Sequence, residues 1–201
     1  MIKLHGFPMS PNTKRALLGL EEVSAHYELV PVDLMAGEHR RAEYLALNPT
    51  GRVPVLVDGD FVLWESNAIL HYLAASHPEK KLGGESAREG AKIAQWMFMN
   101  AAHLAPAFAH VFAHTIRLPE DKRIPQLVEN GRAEIERGLK PLDAQLANQP
   151  FLLGRLTIAD LSLAATLAVA PMLGVDLSKH PNVARWMERM HERPSWKKVN
   201  G

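Results

Sequence analysis

Cysteine is absent from all 201 residues. Its absence removes disulfides, thiolate metal sites and a cysteine nucleophile together. An excess of either charge is absent too, since 23 Lys and Arg against 22 Asp and Glu leave a formal net charge of +1 at pH 7. That balance draws neither nucleic acid nor an anionic membrane to the surface at large, so an acidic ligand has to be caught by a local site. No run approaches the roughly 20 apolar residues of a membrane span, and the stretch from Met1 to Arg15 lacks an apolar core of signal-peptide length. A cytoplasmic location without nucleic-acid or membrane partners is the expectation. What is present, 47% hydrophobic and 22% charged residues, suffices for one large or two small packed domains.

The first third of the chain alternates. Residues 2–5 read as a strand, Pro8 and Pro11 punctuate a loop, and Asn12 to Glu22 places Ala16, Leu17 and Leu20 on one helical face. Glu28 to Val32 reads as a second strand, Ala42 to Leu47 as a short helix, and Asn48-Pro-Thr-Gly51 as a turn. Val53 to Val57 and Phe61 to Trp64 flank Asp58-Gly59-Asp60, a hairpin signal, and a helix follows from Ser66 to Ala75. Beyond that, residues 86–116, 125–148, 157–170 and 182–191 carry helical periodicity and no strand pattern returns. The expected architecture is an α/β domain over residues 1–77, a linker over 78–86 and an all-helical domain over 87–201.

Four stretches narrow this layout. Phe7-Pro-Met-Ser-Pro-Asn-Thr-Lys-Arg15, Asn48-Pro-Thr-Gly-Arg-Val-Pro-Val-Leu56, Leu63-Trp-Glu-Ser-Asn-Ala-Ile-Leu70 and Thr157-Ile-Ala-Asp160 stand in the order and spacing of the cytosolic-type glutathione transferases. The chain resembles the serine-type members of that family, of the phi and theta kinds found in bacteria and plants, along nearly its whole length. The resemblance implies a thioredoxin-like N-terminal domain, an all-α C-terminal domain, a homodimer, and glutathione as cosubstrate with no other cofactor. It implies a detoxifying enzyme that adds the glutathione thiol to apolar electrophiles. A variant of that chemistry reduces organic hydroperoxides with the same thiolate, and a non-catalytic binding or carrier protein is the alternative.

Within the resemblance, Ser10 is the catalytic residue. A free cysteine thiol has a pKa of roughly 8.5, so only about 3% is thiolate at pH 7. A hydroxyl hydrogen bond to the sulfur anion contributes roughly 1.5–3 kcal/mol and a helix N-terminus roughly 0.3–1 kcal/mol. Together they reach the ~2.7 kcal/mol that lowers a pKa by two units. Serine is also a preferred helix N-cap, so capping alone is the competing role for Ser10.

The resemblance further implies a cis Val53-Pro54 bond that turns the Val53 backbone toward the bound peptide, in the manner of strand addition. It assigns the γ-glutamyl end to Glu65 and Ser66, at a helix start suited to a carboxylate. His39, Arg40 and Arg52 are expected at the glycine carboxylate. Here Arg40 and Arg52 depart from the Lys and the Gln or Lys of serine-type relatives, and a solvated basic loop is the other reading. Lys14 and Arg15 are expected on the solvent face of the first helix.

An electrophile pocket between the domains is expected to draw on Met9, Met35, Met99, His103 and Phe108, since methionine and aromatic side chains suit varied apolar ligands. The same residues also fit a plain helix core. Trp196 either closes that pocket or caps the core. His103, His110 and His114 share a helix face, yet His103 stands about 10.5 Å along the axis from His110, so no metal is assigned. Thr157 and Asp160 have capping-box form and a structural role.

Overall fold

The computed structural model describes residues 1–201 and groups Met1–Gly83 with Pro194–Gly201 as one unit and Gly84–Arg193 as another. In the first unit, strands β1 (Ile2–Gly6), β2 (Tyr27–Pro31), β3 (Val55–Asp58) and β4 (Phe61–Trp64) form one sheet in the order β2-β1-β3-β4. β1 and β2 are parallel, and β3 runs antiparallel to both β1 and β4. Helices α1 (Pro11–Glu22), α2 (Ala42–Leu47) and α3 (Ser66–Ser76) complete the α/β repeat expected from the sequence.

Strand alternation decides which helix covers which face. Val55 and Val57, with Val53 and Val32, pack around Tyr44 of α2. Leu56, out of phase with them and paired with Leu4, belongs to the opposite face, and both are fully buried. α1 and α3 lie side by side and run in the same direction: Arg15 meets Ser66 near their starts, and Gly19 abuts Leu70 and Leu73 further along. At Gly6, a Cβ would stand 2.5 Å from a Thr13 methyl, so glycine is what lets α1 begin so near the strand end.

The tail departs from expectation. Pro194–Asn200 forms a helix, α9, that joins the first unit, so the expected helical domain of residues 87–201 loses its last eight residues. The cause is a set of polar contacts to α1: Lys198 Nζ lies 2.9 Å from Glu21 Oε1, Lys14 donates to Asn200 Oδ1, and Ser195 bonds Glu22. Trp196 is buried there, in the role of a core cap. The boundary itself falls between Gly83 and Gly84, inside the expected linker.

The second unit is helical. α4 (Ala87–Met99) continues through a π-helical turn at Asn100–Leu104 into α5 (Ala105–Phe112) and a second π turn at Ala113–Arg117. α6 (Pro125–Gln145), α7 (Ile158–Leu167) and α8 (Pro181–His191) follow. Every residue of α7 is buried, the signature of a helix at the centre of a bundle. No helix of the chain is long and apolar enough to cross a membrane.

Candidate functional site

Sheet register gathers the candidate residues. His5 pairs with Val55, Val55 with Trp64, and Gly6 with Pro31, so the ends of β1, β2 and β4 and the start of β3 share one end of the sheet. From that end leave the Phe7–Ser10 loop, the segment reaching His39 and Arg40, the Arg52-Val53-Pro54 segment, and Glu65-Ser66. Residues scattered over 57 positions are thus brought to one end of one unit, between Ser10 and Ser66.

Ser10 occupies the N-cap position of α1 with extended backbone, followed by Pro11 at the first helical position. Its N–H donates to the Phe7 carbonyl and its carbonyl accepts from Lys14 N–H, both at 2.9 Å, so the backbone is held. The half-buried hydroxyl makes no capping hydrogen bond. A serine at a helix start usually spends its oxygen on the helix. Here the hydroxyl stands at the positive end of α1 without that use.

Glu65 precedes α3 at φ +73°, a region L-residues rarely enter, and such outliers persist where their surroundings over-determine them. Ser66 is buried, and its Oγ accepts from Arg15 Nη1 at 2.7 Å, while the same nitrogen donates to Asn12 Oδ1. With Arg15 as donor, the Ser66 hydroxyl proton is left to point elsewhere. The solvent-face expectation for Arg15 is therefore corrected: the residue is 4% exposed and ties the starts of α1 and α3 together. Burial pulls its guanidinium down to about 10, with Glu65 acting in the opposite direction. Lys14 does stay at the surface side, bonded to Asn200.

Val53-Pro54 is cis and lies just ahead of β3 rather than within it. The preceding carbonyl, that of Arg52, accepts from Tyr44 Oη at 2.8 Å and from Asn48 Nδ2 at 2.7 Å. Burial pushes the Tyr44 phenol up to about 12. Asn48 also receives Thr50 N–H and Oγ1 on its Oδ1, so it organises the whole 48–52 turn. Gly51, at φ +61°, passes so near that a Cβ would stand 3.1 Å from the His39 carbonyl, which places the two basic segments side by side.

Arg40 and Arg52 are exposed, whereas His39 is half-buried with its Nδ1 out of reach of any protein partner. Asp33 shapes their segment by accepting from Met35 and Ala36 N–H groups. Of the expected electrophile-pocket residues, Met9 and Met35 are 69% and 92% exposed in the first unit. Met99, His103 and Phe108 belong to the second unit. Phe108 is 3% exposed and packs as core, Met99 is half-buried, and His103 is exposed, 3.8 Å from Glu134. His114 accepts from Ile124 N–H. Behind the candidate residues, Arg15 supports Ser66, while Tyr44 and Asn48 support the Arg52 carbonyl ahead of Val53-Pro54, and none of the three was assigned a supporting role from the sequence. The Asn-Pro-Thr-Gly turn was the one available signal for Asn48.

The thioredoxin-like sheet brings the starts of α1 and α3 and the Arg52-Val53-Pro54 segment to one end of the unit. The chain belongs to the glutathione S-transferase family: the family's N-terminal domain matches residues 1–75 and its C-terminal domain residues 100–194. It is 34% identical to glutathione S-transferase 4 of Zea mays, over 98% of this chain and 91% of that protein. It is 33% identical to glutathione S-transferase GstB of Escherichia coli K12, over 99% and 97%. Among solved structures, glutathione transferase URE2P8 of Phanerochaete chrysosporium with oxidized glutathione superposes with a TM-score of 0.91 at 30% identity, covering 98% of this chain and 92% of the other. Glutathione transferase F2 of Populus trichocarpa gives 0.88 at 28% identity, over 99% and 97%.

Proposed function

We propose that the protein is a glutathione transferase in which Ser10 holds the glutathione sulfur as thiolate. The observation that carries this reading is the Ser10 hydroxyl, placed at the start of α1 yet unused as a cap. The thiol proton leaves to solvent, and the hydroxyl donates to the sulfur anion that remains. The sulfur then attacks an electrophilic carbon. A carbon–sulfur bond forms while a halide departs with its electron pair, or while an epoxide carbon–oxygen bond opens and its alkoxide takes a proton.

Around the sulfur, the γ-glutamyl carboxylate goes to Ser66 at the start of α3 and its ammonium group to Glu65. The Val53 backbone pairs with the cysteinyl residue, next to Pro54, and His39, Arg40 and Arg52 take the glycine carboxylate. Apolar electrophiles complete the substrate pair. With an organic hydroperoxide, the same thiolate attacks the terminal oxygen: a sulfur–oxygen bond forms as the O–O bond breaks, and the alkoxide takes a proton and leaves as alcohol. The thiol of a second glutathione then displaces the sulfenic hydroxyl as water and closes the disulfide. A detoxifying role in the cytoplasm goes with this chemistry. A homodimer goes with the exposed apolar side chains of Phe61, Val62 and Trp64 on the edge strand β4, a type of surface that proteins cover.

The test is glutathione consumption against a panel of aryl halides, epoxides and hydroperoxides, run beside calorimetry of glutathione binding. Turnover of one class with binding is the expected result. Binding without turnover favours a carrier, and absence of binding overturns the site assignment.

A further inference from the structure

We infer that Tyr44 and Asn48 are positioning residues that aim the Val53 N–H at the cysteinyl backbone of the ligand, an inference that rests on the glutathione reading above. The Arg52–Val53 peptide is trans, Val53-Pro54 being the one cis bond of the chain. In a planar trans peptide the C=O and N–H point in opposite directions, so whatever fixes one fixes the other. The Arg52 carbonyl is fixed twice, by the Tyr44 hydroxyl at 2.8 Å and the Asn48 amide at 2.7 Å. Both anchors are buried, Tyr44 among Val32, Val53 and Val55 and Asn48 beneath its own turn. The Val53 N–H is consequently directed away from α2.

Direction is half of the effect. A carbonyl that accepts two hydrogen bonds polarises its peptide and makes the N–H across it a better donor. The arrangement strengthens one donor and holds it in place before the ligand arrives, which reduces the ordering cost of binding. Ser10 is not involved. The clamp acts on affinity for the peptide backbone and leaves the chemistry of the sulfur to Ser10 at the start of α1.

Tyr44→Phe removes the hydroxyl and leaves the Asn48 bond. Asn48→Asp keeps the Oδ1 that holds Thr50 and removes the donor to Arg52. For each, glutathione KM and the Kd of S-methylglutathione, which has no free thiol, should rise roughly fivefold. The kcat at saturating glutathione, the pH midpoint of kcat and the KM of the electrophile should stay at wild-type values. Unchanged glutathione affinity in both variants overturns the clamp. So does a fall in kcat and electrophile affinity that tracks loss of melting temperature, because that is what mere damage to the turn produces. If wild-type protein binds no S-methylglutathione, the glutathione reading falls and takes this one with it.

Discussion

Two helix starts in this chain face opposite demands. At α7, Asp160 is fully buried and every donor near it is spent: Leu152 N–H and Trp186 Nε1 on Oδ1, Thr157 N–H and Oγ1 on Oδ2. At α1, the Ser10 hydroxyl makes no capping bond although its backbone is held on both sides. Thr157, whose capping box includes Asp160, and Ser10 both fit the sequence signature of an N-cap. The difference is that the start of α7 is closed, spending its polar groups on the fold, while the start of α1 is open, leaving one hydroxyl without a capping bond, as the proposed role of Ser10 requires. α3 lies between them, since Ser66 is gripped from behind by Arg15 through its lone pair and keeps its proton.

The largest effect should come from the closed start. Asp160→Ala strands a buried indole N–H and two backbone N–H groups, and unsatisfied buried donors cost about 1–3 kcal/mol each. A loss of about 3–5 kcal/mol, or roughly 10 °C or more in melting temperature, is expected by calorimetry. The same carboxyl gives a pH signature. Burial raises it from 3.8 to about 6 against the pull of its four donors. The folded state therefore binds more protons than the unfolded one between those values, and stability falls as pH rises through that window. Stability of wild type minus that of Asp160→Asn should drop by up to about 3 kcal/mol from about pH 4 to about pH 6 and then level off. A difference that is flat, or that climbs with pH, would show that the donors outweigh the burial.

Arg15 tests the intermediate case. Both of its bonds, to Asn12 and to Ser66, come from the one nitrogen Nη1, which the planar guanidinium holds in place, whereas lysine's compact ammonium is harder to strip of water at this buried position. Arg15→Lys should cost about 1–2 kcal/mol of stability and raise glutathione KM roughly fivefold, by loosening Ser66. Stability loss with unchanged KM would make Arg15 a strut with no bearing on the ligand.

Arg15 also marks where the sequence could be read and where it could not. The order of strands and helices in the first unit followed from period and turn chemistry, and motifs in register pointed to Ser10, Val53, Glu65 and Ser66, which the sheet brings to one end of the unit. The solvent-face reading of Arg15 assumed a helix with one wet side. α1 has little of that, since residues 15–20 are all buried and α9 bonds along its outer side. α9 itself follows a Pro at a helix start, a signal available in the sequence but too short to show where it docks. The Tyr44 bond was illegible for a similar reason, because a carbonyl eight residues away becomes a partner only once α2 and the turn have folded.

The smallest stability effect should come from the open start, and it is the sharpest test of the comparison. Losing a used N-cap costs about 1 kcal/mol. Ser10→Ala removes no capping bond, so its melting temperature should match wild type to within about 1 °C. Glutathione affinity should change little, because the γ-glutamyl and cysteinyl contacts lie elsewhere. Turnover should fall at least roughly tenfold, the equivalent of about 1.4 kcal/mol of thiolate stabilisation. The pH at which kcat is half-maximal should rise at the same time, toward that of a free thiol near 8.5. If instead Ser10→Ala melts lower and turns over as before, its hydroxyl is a cap after all, and the distinction between open and closed helix starts collapses.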